Sequence, residues 1–290
     1  MEKLQNDHLT IAMSNHGAEL QSITDKSGKE YLWQADERYW PRHSPILFPI
    51  VCGLWKGKYR TEGNEYPMGR HGFARDTDFK LIKHTATKAT YALESSEETL
   101  KHYPYKFILS VSYILDGNCI HVIWHVHNTD TREIHFQIGG HPAFNVPGLE
   151  EGAPLSGTML FDNKGLVERV FGDVEGCIRP GRHAVDCHDG VWQFNEDSFK
   201  DDAVIIDKSQ LRRISLLNKA MRPEVTVEFT SPAVGIWSPW GKHAPFVCIE
   251  PWYGIHDSVD YSGEFKDKYL MNHLHPGASF MSEYIIIIGE

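Results

Sequence analysis

Residues 105–115 read YKFILSVSYIL and residues 119–128 read CIHVIWHVHN, with Asp116-Gly117-Asn118 between them. Both runs are rich in β-branched and aromatic residues and alternate over much of their length, which is typical of strands that bury one face. A short Asp-Gly-Asn connection is a common turn between two paired strands. The stretch therefore predicts a long antiparallel hairpin.

Similar runs recur along the rest of the chain, and a second hairpin is predicted around Thr61-Glu62-Gly63-Asn64. Further candidate strands are Leu9–Met13, Ala18–Ile23, Glu133–Ile138, Ala203–Ile206, Ile214–Leu217, Val225–Phe229, Val234–Trp237, Phe246–Ile249 and Ser282–Ile288. One helix is indicated, by a capping box at Ser95–Glu98 and a stop at Pro104. Arg182–Gly190 is expected to be a solvated loop and His273–Gly277 a turn. Many strands and few helices predict an all-β sandwich or barrel, built as one domain over residues 1–290.

Composition excludes several classes of protein. The chain has 290 residues and a net charge of −10, which argues against nucleic acid as the main partner, because binding phosphates requires an excess of Lys and Arg on some face. No apolar stretch is long enough to span a bilayer or to act as a signal peptide, so no membrane partner is expected. The five cysteines are widely spaced and form no C-x-x-C pair, which favours a reducing, cytoplasmic location over a disulfide-bonded one. The oligomeric state stays open.

Four segments combine polar, chemically active residues with Gly, Pro and aromatic residues. They are residues 43–51 (HSPILFPIV), 68–76 (MGRHGFARD), 139–145 (GGHPAFN) and 247–254 (VCIEPWYG). Each one alone is adequately explained as a turn or a strand end. Together they predict a pocket, because loops at strand ends are where a β-scaffold presents side chains to a ligand.

Two residues in these segments are candidates for acid–base chemistry. His141 follows Gly139-Gly140, where backbone and ligand can approach closely. Glu250 ends an apolar strand, and desolvation there would raise its pKa towards the range useful to a general base. Phe144 and Trp252 would add flat apolar faces. A lining of aromatic and charged side chains suits a sugar, whose ring has apolar faces and a rim of hydroxyls.

With these motifs the sequence resembles the aldose 1-epimerase (galactose mutarotase-like) family, and within it the bacterial branch of LacX-type proteins and hexose-6-phosphate epimerase relatives. The resemblance extends over almost the whole chain, and its motifs are Pro45–Val51, His71–Arg75, Gly140–Phe144 and Cys248–Trp252. It implies a β-supersandwich fold, no metal or organic cofactor, a free or phosphorylated hexose as the small-molecule partner, and interconversion of the sugar's α and β anomers.

The resemblance also implies roles for individual residues. His141 matches the general acid of the family and Glu250 its general base, which we expect on opposite sides of the hexose. His71 and Arg75 match residues that hold sugar hydroxyls or a neighbouring polar group. Asp202 matches an aspartate that binds hydroxyls, with Asp201 as the competing assignment. The arginine that relatives carry after the Phe-Pro-Ile-Val run is absent, and Lys56 is a possible substitute for it.

Three other functions fit parts of the sequence. The same pocket in a non-catalytic protein would bind a sugar without converting it. His121, His125 and His127 share one face of their predicted strand, which is compatible with a metal enzyme of the cupin type, although a solvent-facing strand explains them better. A glycoside hydrolase needs two carboxyl groups near the sugar, for which Asp202 and Glu250 are the available pair.

Overall fold

The computed structural model describes residues 1–172 and 177–289, which form 25 strands, one α-helix and four short 3-10 helices. The strands are β1 Glu2–Gln5, β2 Leu9–Met13, β3 Leu20–Asp25, β4 Ile46–Leu47, β5 Lys58–Thr61, β6 Asn64–Pro67, β7 Lys80–His84, β8 Lys88–Glu94, β9 Phe107–Asp116, β10 Cys119–Asn128, β11 Ile134–Phe136, β12 Ile138–Gly140, β13 Ala143–Asn145, β14 Ser156–Phe161, β15 Glu168–Gly172, β16 Ile178–Ala184, β17 Cys187–His188, β18 Val191–Asn195, β19 Val204–Ile206, β20 Arg213–Leu217, β21 Pro223–Phe229, β22 Ala233–Trp237, β23 Phe246–Tyr253, β24 Asn272–Leu274 and β25 Ser279–Ile288. The α-helix is α1 Glu97–His102, and the 3-10 helices are Trp55–Gly57, Ala74–Asp76, Glu196–Phe199 and Phe265–Asp267.

Two large antiparallel sheets contain most of these strands. The first has ten strands in the order β17-β18-β14-β20-β21-β25-β10-β9-β8-β7. The second has eight, in the order β16-β15-β19-β22-β23-β12-β4, with β13 also paired to β23. Three small sheets, β1-β2-β3, β5-β6 and β11-β24, complete the described strands. The predicted all-β class is therefore confirmed.

The main core lies between the two large sheets. Strand β9 alternates buried and partly exposed residues along its length, as expected for a strand with one face turned inward. Val111 and Val122 of the ten-stranded sheet share one buried cluster with Val234 and Ile249 of the eight-stranded sheet. Its members extend from Leu4 to Ile288, an arrangement compatible with one domain over residues 1–290, which stays a prediction.

The eight-stranded sheet is covered on both faces, and this positions the site. In β23, Val247 and Ile249 face the main core, whereas Cys248 and Trp252 belong to two smaller apolar clusters on the opposite face. Glu250 alternates with these residues, so it lies on the same outer face. The side chain is nevertheless buried, because loops cover that face of the sheet.

Most local predictions are confirmed. Strands β9 and β10 pair from Asp116 and Cys119 to Phe107 and Asn128, and β5 and β6 form the second hairpin. Helix α1 has its capping box at Ser96, with Thr99 rather than a glutamate as the reciprocal partner. The prediction of a loop at Arg182–Gly190 is wrong, because the segment contains parts of β16 and β17. The turn expected at His273–Gly277 is present at Pro276 and Gly277, but His273 and Leu274 belong to β24. In both places cross-strand partners organise short polar segments whose own sequence lacks a strand pattern. Among the described residues, no helix is long and apolar enough to cross a membrane.

Candidate functional site

Hydrogen bonds between backbones bring the four predicted segments together. The N–H of His141 donates to the carbonyl of Pro45 (3.1 Å), and the N–H of Ile249 donates to the carbonyl of Pro142 (3.2 Å). On the other side, the N–H of His71 donates to the carbonyl of Cys52 (2.8 Å). These contacts hold together loop residues that are far apart in sequence. The residues meet at one point on the outer face of the eight-stranded sheet.

A cavity of about 110 Å³ lies at this point. Its lining consists of Trp40, Cys52, Arg70, His71, Arg75, His141, Asp202, Ala203, Trp237, Glu250, Trp252 and His256. A larger groove of about 760 Å³ lies elsewhere, beside β14 and β18, and has only Glu150 and Lys219 as charged lining residues. The concentration of titratable and aromatic groups makes the smaller cavity the candidate site.

His141 and Glu250 face each other in this cavity. His141 Nε2 is 3.3 Å from Glu250 Oε2, and the two residues are 6% and 1% exposed. The imidazole is held between rings, because it stacks on Trp40 at 4.7 Å and meets Trp237 and His71 edge-on. The catalytic pair implied by the resemblance is thus brought together in space, although 109 positions separate the two residues in sequence.

Burial drives both groups of the pair towards their neutral forms. Desolvation lowers the pKa of His141 to about 3, and the nearby guanidinium of Arg75 acts in the same direction. Desolvation also raises the pKa of Glu250 well above its usual value, and the carboxylate of Asp202 adds to this. The indole N–H of Trp252 and the charge of Arg70 oppose that rise. Both shifts favour a neutral imidazole on His141 and a protonated carboxyl on Glu250.

The 3.3 Å separation overturns one expectation from the sequence. Acid and base were expected on opposite sides of a hexose, but no sugar ring fits between two groups at hydrogen-bonding distance. The two groups instead lie side by side in the lining of the cavity. This arrangement suits two neighbouring oxygen atoms of the ligand better than two opposite ones.

Cationic side chains and one carboxylate form another part of the wall. Arg70 Nη1 is 3.1 Å from Asp202 Oδ2, and both residues line the cavity. Burial lowers the pKa of Arg75 to about 10, which leaves its guanidinium charged at neutral pH. Asp201, the competing assignment, instead contacts Arg169 at 3.5 Å and does not line the cavity. The structure therefore places Asp202, and not Asp201, where a ligand can meet it.

Two more histidines border the cavity. His71 Nδ1 accepts a hydrogen bond from the backbone N–H of Cys52 (3.1 Å), so the neutral ring carries its proton on Nε2. Burial lowers the pKa of His71 and of His256 well below that of an ordinary histidine, and both rings are neutral. Both nitrogens of His256 are buried without a hydrogen-bond partner, which leaves them available to a ligand.

Comparison with known proteins shows which family the chain resembles. A profile of the family described as "Aldose 1-epimerase" matches residues 2–270. The chain belongs to the aldose 1-epimerase family. It is 32% identical to the plasmid protein LacX of Lactococcus lactis subsp. lactis over 306 residues, which cover 99% of this chain and 98% of LacX.

Solved structures agree with this membership of the aldose 1-epimerase family. A galactose mutarotase related enzyme from Lactobacillus acidophilus has a TM-score of 0.92 at 34% identity, covering 100% of this chain and 97% of that chain. A galactose mutarotase-like protein from Lactobacillus casei ATCC 334 has a TM-score of 0.94 at 28% identity, covering 99% of each chain. The predicted galactose mutarotase-like fold is confirmed.

Two expectations about individual residues need correction in this aldose 1-epimerase family member. Phe144 does not line the cavity: its side chain is fully buried in the main core, because its cross-strand partner Val247 faces that core. Phe144 is therefore withdrawn as a sugar contact. Lys56 is exposed and also lies outside the cavity lining, so it does not replace the absent arginine. Arg70 supplies a guanidinium to the cavity instead.

Trp252 lines the cavity, and two glycines make room for it. A Cβ atom at Gly235, on β22, would be 2.4 Å from Trp252 Cη2, and one at Gly139, on β12, would be 2.8 Å from Trp252 Cδ1. The indole therefore lies over both strands that flank β23, in space that a side chain would otherwise fill. Tyr253–His256 follow the Glu250 segment and were expected to border the pocket, and His256 lines the cavity. Sequence reasoning missed Trp40, Arg70 and Trp237; of these, only Arg70 lies inside one of the four segments.

Two groups of described residues could hold a metal ion. His141, Cys248 and Glu250 form one, and Glu133, His135 and His273 form the other, with donor atoms within 4.8 Å of each other in each group. His121 and His127 belong to neither, and they contact Glu283 and Ser279 on the partly exposed face of β10. This placement favours the solvent-facing explanation of the histidine strand over the cupin-type alternative.

Proposed function

We propose that this member of the aldose 1-epimerase family interconverts the α and β anomers of a hexose by acid–base ring opening. The observation that carries the proposal is the pairing of His141 and Glu250 at 3.3 Å in a cavity lined by Trp, Arg, Asp and His side chains. One carboxyl and one imidazole at that distance can exchange protons with each other and with two adjacent oxygen atoms of a ligand.

Ring opening of a cyclic hemiacetal requires two proton transfers. A base removes the proton of the anomeric hydroxyl, and an acid protonates the ring oxygen. The bond between C1 and the ring oxygen breaks, the ring oxygen becomes a hydroxyl, and the anomeric oxygen forms the C=O double bond of the open-chain aldehyde. Rotation about the C1–C2 bond followed by the reverse transfers closes the ring on the other face. These oxygens share one carbon, so a pair of groups on one side of the sugar can serve both.

His141 and Glu250 share one proton. The group that carries this proton can act as the acid, and the group without it can act as the base. The raised pKa of Glu250 and the lowered pKa of His141 favour the carboxyl as the position of this proton before a sugar binds. The roles implied by the resemblance, with Glu250 as base and His141 as acid, arise when the proton moves across the 3.3 Å gap to His141. Sugar hydroxyls that donate hydrogen bonds to the carboxylate favour this ionic form. Ring opening leaves the one proton of the pair on Glu250, and ring closure returns it to His141.

The remaining lining residues account for binding of the sugar. Asp202 accepts hydrogen bonds from hydroxyls, and Arg70 and Arg75 donate them. Trp40 and Trp252 provide apolar faces for ring carbons. A phosphorylated hexose would gain from the two guanidinium groups. The reaction moves only protons, so the proposal needs no cofactor. No disulfide joins any of the five cysteines, all of which lie in the described ranges, and a cytoplasmic location is part of the proposal.

The test is the rate of anomer exchange, measured by NMR for glucose, galactose and glucose 6-phosphate with and without protein. We expect exchange of at least one of these sugars to be accelerated, and each of Glu250→Gln and His141→Asn to lower the acceleration by about 10² to 10⁴-fold. His127→Gln, which changes an exposed histidine outside the cavity, serves as the control. Sugar binding by calorimetry without any acceleration would favour the non-catalytic alternative, and cleavage of aryl glycosides would favour the hydrolase.

A further inference from the structure

A second cluster of potential metal ligands lies on the small sheet formed by β11 and β24. His135 and His273 are directly opposite each other in the register of these strands, and their Nδ1 atoms are 2.9 Å apart. Glu133 immediately precedes β11, and one of its carboxylate oxygens and one ring nitrogen of each histidine all lie within 4.8 Å of one another. None of the three residues lines the sugar cavity.

The surrounding structure holds these ligands in place. His135 is 7% exposed, its ring packs edge-on against Tyr105, and its carbonyl accepts a hydrogen bond from the hydroxyl of Tyr103 (2.8 Å). Asn272 fixes the neighbouring strand, because its Nδ2 donates to the carbonyls of Phe136 and Tyr253. Outside the ligand set, His275 contacts the carboxylate of Glu133 at 3.1 Å, the type of outer contact that orients metal ligands.

The geometry between the two imidazoles is close to that of a metal site. A hydrogen bond between two Nδ1 atoms requires one proton to lie between them, which a metal ion can replace. Two nitrogens that each lie 2.0–2.1 Å from a tetrahedral zinc ion are about 3.3 Å apart, so a shift of roughly 0.4 Å converts the observed pair into a metal-binding pair. Two imidazoles and a carboxylate suit zinc, cobalt, nickel and copper better than magnesium or calcium.

We propose that Glu133, His135 and His273 bind a divalent transition-metal ion of the zinc class. Such an ion links β11 to β24. It thereby fastens the C-terminal end of the segment 254–271, because β24 begins at Asn272. That segment contributes His256 to the cavity wall. The ion stabilises the fold without touching the sugar, so the site is independent of the proposed epimerase chemistry.

The experiment measures zinc binding by protein that has been freed of metal with a chelator. We expect one zinc ion per chain in competition titrations, and a rise in the unfolding temperature of roughly 5 °C at a free zinc concentration about 100-fold above the dissociation constant. His273→Gln and Glu133→Gln each weaken zinc affinity at least about tenfold. The matched control, His127→Gln, removes another strand histidine and leaves the affinity unchanged.

Cobalt distinguishes this site from the one in the sugar cavity, where Cys248 would be a ligand. Bound Co²⁺ is expected to show ligand-field bands without the near-ultraviolet thiolate charge-transfer band. The proposal is overturned if zinc fails to bind, if His273→Gln and Glu133→Gln leave its affinity unchanged, or if the thiolate band accompanies binding. Anomer exchange plays no part in these readouts, so they do not depend on the outcome for the proposed function.

Discussion

The contact between Trp252 and Gly235 allows a quantitative prediction for the substitution Gly235→Ala. A Cβ atom at this position would lie 2.4 Å from Cη2 and Cζ2 of Trp252, whereas carbon atoms in contact are about 3.5–4.0 Å apart. The indole must therefore move by roughly 1 Å. Gly139 lies under the other end of the ring, so the displaced ring moves into the cavity.

Overpacking of this size should lower the free energy of unfolding by about 1–3 kcal/mol. Displacement of a cavity wall by roughly 1 Å should lower kcat/KM for anomer exchange by up to about 10²-fold. Urea denaturation measures the first quantity, and NMR exchange on the folded protein measures the second. Gly172→Ala is the control for stability, because it lies in the same sheet and, within residues 1–172 and 177–289, its Cβ would come no closer than 3.7 Å to a non-neighbouring atom. Wild-type stability and kcat/KM in Gly235→Ala would refute the reasoning.

Three further predictions concern charge. Burial lowers the pKa of His141 to about 3 and raises that of Glu250 well above its usual value, so the acid of the pair does not titrate like an ordinary histidine. We therefore expect no fall of kcat/KM as the pH rises through about 6.5, and a fall there in a pH profile would indicate an ordinary histidine acid. Arg70→Met should raise KM about tenfold, because a charge-assisted hydrogen bond to the sugar is lost. Lys56→Met, outside the cavity, should leave KM unchanged. Equal KM values for the two variants in steady-state kinetics would contradict the proposed contact between Arg70 and the sugar. Lys268→Met should lower the free energy of unfolding by about 3–5 kcal/mol, because it leaves the buried carboxylate of Asp257 without its ion-pair partner. A loss below about 1 kcal/mol in urea denaturation, which is the range of an exposed ion pair, would contradict this.

Strands were predictable where one continuous segment contains both the alternation of buried and exposed residues and the turn that follows it. The alternation in residues 105–128 and the turn at Asp116–Asn118 are local features, and the structure has the hairpin at that place. Strand β24 was not predictable, because three residues paired to a distant partner carry no alternation of their own. Its pairing depends on tertiary contacts rather than on propensity.

The sequence also could not show which aromatic residues line the cavity. Phe144 and Trp252 both follow chemically active residues in the sequence, but Phe144 pairs with Val247, which faces the core, and Trp252 lies on the opposite face of β23. A shift of one residue reverses the face of a strand, and the sequence does not specify the register between distant strands. Trp40 and Trp237 reach His141 only through the tertiary fold.

Charge states could not be predicted from residue identity either. For Glu250, the apolar strand that precedes it did indicate desolvation and a raised pKa, and burial has that effect. For His141, the sequence suggested a protonated acid, whereas burial favours the neutral imidazole. The depth of burial depends on loops that cover the outer face of the eight-stranded sheet, and neither loop positions nor burial are encoded in a local pattern.

A structure determined with a bound hexose tests the central proposal most directly, through the distances from the His141–Glu250 pair to the ring oxygen and the anomeric hydroxyl. We predict that the two oxygens lie on the open side of the pair, with one within about 2.6–3.2 Å of His141 Nε2 and the other equally close to the carboxyl of Glu250. A hexose bound elsewhere, or bound in the cavity with its anomeric centre turned away from both groups, would contradict the proposal.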